Sequence, residues 1–83
     1  MASTISGTVQ REGKPAPGVY VRLYGPSGEF VAEEYTKDDG AFLFHVENGT
    51  WKLEARAAGA ETLTAPVDIT DAPASIDLEL QSA

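Results

Sequence analysis

Lys37-Asp38-Asp39-Gly40-Ala41-Phe42-Leu43-Phe44-His45-Val46-Glu47-Asn48-Gly49-Thr50-Trp51-Lys52-Leu53-Glu54-Ala55 carries the signal that decides the fold. Asp39-Gly40 is a strong tight-turn dipeptide, because glycine accepts the positive φ that such a turn demands, and it is the clearest hairpin signal in the chain. Beyond it Phe42, Phe44 and Val46 point one way while Ala41, Leu43 and His45 point the other, the period of a half-buried strand. Asn48-Gly49 predicts a second hairpin. The next strand sets Trp51, Leu53, Ala55 and Ala57 against Lys52, Glu54 and Arg56.

The same period runs outward in both directions. Toward the N-terminus, Ile5, Gly7 and Val9 alternate with Thr4, Ser6, Thr8 and Gln10, and Val19, Val21 and Leu23 alternate with Tyr20, Arg22 and Tyr24. Between these two strands, Glu12 to Gly18 holds two prolines and two glycines and predicts a loop without a ladder. Gly25-Pro26-Ser27-Gly28 predicts a turn, and a strand follows from Glu29 to Thr36. Toward the C-terminus, Leu63, Ala65, Val67 and Ile69 form an apolar row, and Pro66 assigns that strand to a sheet edge. Ile76, Leu78 and Leu80 close the series. Helix competes only over Leu53 to Glu61, a short stretch that contains Gly59 and continues an alternating run. Seven strands, nearly all with one wet and one dry face, predict an all-β, antiparallel Greek-key β-sandwich. It is a single domain over residues 1–83, with its ordered part over 4–81.

Composition narrows the function classes. The chain has 83 residues, 42% hydrophobic and 23% charged, and no cysteine. Disulfides, thiolate metal sites and thiol nucleophiles are thereby excluded. Six basic and thirteen acidic residues give a net charge of −7. The charge is uneven: residues 1–27 hold three basic residues against Glu12 alone, and the remainder carries all the excess acid. A net anion is repelled by phosphate backbones and by anionic lipid, so neither nucleic acid nor a membrane is an expected partner. No apolar run approaches the length of a membrane span. Met1-Ala2-Ser3-Thr4 lacks the apolar stretch of a signal peptide, which leads to the expectation of a cytoplasmic protein.

Gly7-Thr8-Val9, Gly18-Val19-Tyr20-Val21-Arg22-Leu23, Thr36-Lys37-Asp38-Asp39-Gly40-Ala41-Phe42-Leu43-Phe44 and Gly49-Thr50-Trp51-Lys52-Leu53-Glu54-Ala55 resemble, in order and spacing, the carboxypeptidase regulatory-like domains. The resemblance implies a prealbumin-like sandwich with Phe42, Phe44, Trp51 and Leu53 as the bulk of its core. It implies little about function, since such sandwiches serve many tasks. Ser27-Gly28-Glu29-Phe30-Val31-Ala32-Glu33, with Val21-Arg22-Leu23 and Gly49 to Leu53, is similar to a small actinobacterial family encoded beside a thiosulfate sulfurtransferase. That likeness implies an accessory role in sulfur transfer. Those proteins begin with Cys-Ser-Gly-Pro, whereas this chain holds no thiol on which to carry a persulfide.

Catalytic readings find little to stand on. His45 is the only histidine, and a lone imidazole on an outward row reads as an ordinary strand residue before it reads as a base or ligand. The hydroxyisourate chemistry of some transthyretin-like enzymes resembles one that needs two histidines. Glu33, Glu34, Asp38 and Asp39 suggest calcium, but a tight turn cannot wrap an ion that takes six to eight oxygens. Paired carboxylates for glycoside cleavage need a cleft that a sandwich of this size hardly provides. An isopeptide bond of the pilin type would need a first-strand lysine and a last-strand asparagine, and the sole asparagine is Asn48.

The remaining feature is the outward row Tyr20, Arg22 and Tyr24, two phenols around a guanidinium, extended by Leu43 and His45 if the two strands lie close. Tyrosine favours strands in any case, so the row is a binding face only if it is contiguous. These residues form the candidate interaction face, with another protein as the expected partner and no cofactor or metal. A carbohydrate is the alternative ligand, as in related sandwiches of starch and pectin enzymes. An enzyme or metal protein built on His45 and acidic neighbours is the third reading.

Overall fold

The computed structural model describes residues 3–83. Met1 and Ala2, on which the reading of the N-terminus rests, lie outside them. Eight strands follow in order: β1 (Ser3–Arg11), β2 (Lys14–Pro15), β3 (Tyr20–Tyr24), β4 (Phe30–Tyr35), β5 (Ala41–Val46), β6 (Gly49–Arg56), β7 (Leu63–Ile69) and β8 (Ala74–Leu80). They form an all-β sandwich of two sheets. One sheet runs β4-β3-β6-β7 and is antiparallel throughout. The other is centred on β1, with β5 on one edge and β8 on the opposite edge. The expected strands are all present, and β7, with Pro66, is an edge strand.

Three details differ from the sequence reading. The Glu12–Gly18 loop contains a short extra strand, in which Lys14 and Pro15 pair with Arg11 and Gln10 across a turn at Glu12 and Gly13, both at positive φ. It succeeds because β5 stops pairing at Thr8 and leaves the same edge of β1 free. Val9 joins the two segments, donating to the Gly40 carbonyl at 2.8 Å and accepting from the Ala16 amide at 2.9 Å. The pairing of β1 with β8 is parallel, because the chain returns to β1 from the other sheet rather than through a hairpin. Neither Asp39-Gly40 nor Asn48-Gly49 closes a hairpin. Each carries the chain from one sheet to the other, since β4 and β6 lie in one layer and β5 in the other.

The reason is visible at Gly40. Its amide donates to the Lys37 carbonyl at 2.8 Å and its φ is +78°, so the tight turn itself is made as expected. Its backbone then docks on Val9, where a Cβ would collide with the Val9 carbonyl oxygen. Turn chemistry fixes the reversal; docking on β1 decides which sheet receives the next strand.

The alternating rows meet in the middle. Ile5, Val9, Phe42, Phe44, Val46, Leu78 and Leu80 from the β1 sheet face Val21, Leu23, Leu53, Ala55, Val67 and Ile69 from the other, all buried. At about 25 cal/mol per Å² of apolar surface removed from water, this is the main stabilising term. Trp51 is the exception to the expected core. It is half-buried at the end of the layer, and its indole N–H is held by the Glu47 carbonyl at 2.9 Å. Among the described residues Thr36 is the one buried polar side chain: its hydroxyl donates to the Ala16 carbonyl at 2.6 Å and accepts from the Val19 amide at 2.9 Å.

Candidate functional site

The outer face of the β4-β3-β6-β7 sheet gathers aromatic rings around cations. Tyr20, Arg22 and Tyr24 form its central row, because Val21 and Leu23 between them point into the core. On one side, β4 places Tyr35 opposite Tyr20, Glu33 opposite Arg22 and Phe30 opposite Tyr24. On the other, β6 places Arg56, Glu54 and Lys52 against the same three residues.

The contacts are specific. The rings of Tyr20 and Tyr35 lie 4.3 Å apart between centroids, tilted by 46°. Tyr24 and Phe30 meet edge to face at 6.1 Å. The Arg22 guanidinium lies over the Phe30 ring at 5.7 Å and donates to Glu33 at 2.8 Å. The Lys52 ammonium sits 5.0 Å above the ring of Tyr24, whose hydroxyl faces Glu54 at 3.4 Å. Arg56 donates to the same Glu54 oxygen at 2.9 Å. The side-chain bonds of Arg22 with Tyr24 and Glu33 raise its pKa above the ordinary guanidinium value. Tyr35 is pushed up to about 12, first by hydrogen bonding to Tyr20 and then by loss of solvent. Both groups therefore keep one charge state through the neutral range.

Phe30 and Tyr35, each 56% exposed, are the most open aromatic side chains of the face. The sequence reading omits both. Strict alternation through β4 puts Phe30 on the same side as Ala32 and Glu34, toward the core. The register shifts between Leu23 and Tyr24, so Val31 is an extra residue and Phe30 turns outward. Tyr35 was legible from its place beside Thr36, but only once the partner of Tyr20 is known.

Leu43 and His45 are not part of this face. They stand on β5 in the other sheet, on its outer side beside Ser6 and Thr4, so the expected five-residue face divides in two. The outer side of that second sheet is polar: Thr8 donates to Asp77 at 2.8 Å, and Glu79 follows on β8. Among the described residues, no group of three or more His, Asp or Glu side chains is placed to hold a metal ion.

At one end of the aromatic face a groove of about 320 Å³ opens, bounded by Tyr24, Pro26, Trp51, Lys52 and Pro66. The β3–β4 turn supplies its Pro26 wall. That turn is braced by the Gly25 amide on the Glu29 carbonyl at 2.8 Å and by the Ser27 amide on the Glu29 carboxylate at 3.0 Å.

A family model described as a protein of unknown function (DUF1416) matches residues 1–81. No curated protein matches the chain. Solved structures share the fold at low identity. The 3-chlorocatechol 1,2-dioxygenase of Rhodococcus opacus 1CP is 11% identical, with all of this chain and 60% of that one covered at a TM-score of 0.80. The dioxygenase domain of a dioxygenase carbohydrate-binding protein fusion from Streptomyces sp. SirexAA-E is 18% identical, with 99% and 80% covered at 0.76. The major pilin subunit BcpA of Bacillus cereus is 11% identical, with 100% and 29% covered at 0.87. The chain thus spans three-fifths of the first of these proteins and under a third of the pilin. At such identities the likeness concerns the fold alone.

Proposed function

We propose that this chain, which belongs to the DUF1416 family of proteins of unknown function, is a non-catalytic interaction domain that docks a partner protein on the outer face of β4-β3-β6-β7. The observation that carries this reading is the content of that face. Four aromatic rings, Tyr20, Tyr24, Phe30 and Tyr35, surround Arg22, and rings and guanidinium groups are the side chains enriched at binding hot spots. Arg22, Lys52 and Arg56 there balance Glu33, Glu54 and Asp68, so the face is neutral on a chain of net charge −7. The remainder of the surface carries the whole net charge, which directs association toward this side. The ion pairs are exposed and contribute little by themselves; their value is that they hold the rings in place.

The thiosulfate sulfurtransferase implied by the resemblance is the partner we propose to test first. With no thiol, this chain would hold or orient such an enzyme rather than relay its sulfur. The purified chain and a sulfurtransferase from the same organism should co-sediment as a complex. The double substitution Tyr20→Ser with Phe30→Ser should abolish that complex, while Leu43→Ser on the opposite side should leave it intact. No complex at all would remove this partner, and a complex indifferent to Tyr20 and Phe30 would remove the face.

A further inference from the structure

The groove beside Trp51 has a chemistry distinct from the flat face next to it. Its walls are two aromatic rings, Tyr24 and Trp51, and two pyrrolidine rings, Pro26 and Pro66, with Ala65 among the lining. The polar groups of the two aromatics are already occupied. The indole N–H is held by the Glu47 carbonyl, and the phenol faces Glu54. What remains polar in the lining is Thr50, Thr64 and the ammonium of Lys52. A sugar is poorly matched to such a slot, since its hydroxyls need a dense set of side-chain donors and acceptors. An extended polyproline-type segment is well matched. Its rings wedge between aromatic side chains, its backbone needs only a few donors for its carbonyls, and it is ordered before it binds.

Charge selects among such segments. Two carboxylates adjoin the lining, Glu29 against Gly25 and Asp68 beside Thr50 in the β6–β7 register, whereas Glu54, at the Tyr24 hydroxyl, is already paired with Arg56. Lys52 is the one cation in the lining. We propose that this groove binds a proline-rich, basic peptide segment in the extended polyproline conformation, with its prolines between Tyr24 and Trp51 and its cation toward Asp68. The site shares Tyr24 with the protein-docking face and lies at the opposite end of that row from Tyr20 and Tyr35.

Trp51 is the only tryptophan, so its emission reports on the groove directly. The probe is a synthetic peptide of about ten residues with two prolines at PxxP spacing and a terminal arginine pair. Titration should shift Trp51 emission saturably. A peptide with alanine for both prolines should bind at least tenfold more weakly, and one with glutamate for the arginines likewise. Asp68→Lys, an exposed change, should weaken the basic peptide and strengthen the acidic one. Tyr24→Leu should weaken the basic peptide about tenfold, with circular dichroism confirming the fold. The pair Tyr20→Ser with Tyr35→Ser should bind the peptide as the parent does, which separates this site from the protein-docking face. An unmoved emission spectrum, equal binding of the alanine peptide, or a saturable response to a maltooligosaccharide in place of the peptide would each overturn the proposal.

Discussion

Tyr20 and Tyr35 face each other across neighbouring strands with ring centroids 4.3 Å apart, and the phenol of Tyr35 is pushed up to about 12 as a result. The hydroxyl of Tyr20 is the main cause, and loss of solvent adds to it. Two rings held in this way present a rigid apolar surface whose ordering cost is already met before a partner arrives.

One of the tyrosines, Tyr35, should therefore ionise well above the ordinary phenol value. Followed by phenolate absorbance, it should ionise near 12, and Tyr20→Phe should return it toward 10. The folded state holds this proton more tightly than the unfolded chain does. The resulting stabilisation is complete below about pH 10 and is lost as pH rises from there to about 12. The absence of any phenolate transition near 12 in the parent protein would contradict the pairing.

Thr36 should be sensitive to loss of its hydroxyl alone. Thr36→Val removes the acceptor of the Val19 amide and the donor to the Ala16 carbonyl, leaving both backbone groups unpaired in a buried position. The cost should be about 1–3 kcal/mol in urea unfolding, and Thr36→Ser should recover most of it. Equal stability of the valine variant would mean that water replaces the hydroxyl.

Gly40 and Gly28 both have positive φ, +78° and +82°, yet alanine should cost far more at the first. At Gly28 nothing lies within 4 Å of the added methyl, so only the backbone preference of about 1–2 kcal/mol is lost. At Gly40 the methyl meets the Val9 carbonyl, and the turn must lift off β1. Unfolding midpoints should fall in that order, and equal shifts would show that docking of the turn on β1 is unimportant.

Asn48 and Asp71 hold the two loops at one end of the sandwich together. The Asn48 amide donates to the Asp71 carboxylate at 2.8 Å, and the Asp71 backbone amide donates to the Asn48 oxygen at 2.9 Å. A double-mutant cycle with alanine at both positions should return a coupling of about 0.5–3 kcal/mol. Because Asp71 sits at a φ of +57°, Asp71→Gly should cost less than Asp71→Ala. Equal costs would point to the side-chain bond as the whole of the effect.

Alternation alone revealed every main strand and nearly every core residue, because a half-buried strand writes its two faces into the sequence at period two. Three things were not legible. Which sheet follows Asp39-Gly40 depends on docking against Val9, about 30 residues away in the chain, and the local turn signal is the same either way. The outward position of Phe30 depends on a bulge that shifts the register by one residue. Trp51 alternates with core residues yet sits at the rim, where its N–H reaches the Glu47 carbonyl. Of the candidate face, Tyr20, Arg22 and Tyr24 were legible as one row. Their separation from Leu43 and His45 was not, since period two tells which residues share a side of a strand and nothing about which layer that strand joins.

The parallel run of β1 beside β8 also has a mechanical meaning. The two strands lie in register from Ile5 with Ala74 to Arg11 with Leu80. Tension applied at Ser3 and at Leu80 pulls them lengthwise in opposite senses, so the rungs between them bear the load together instead of parting one after another.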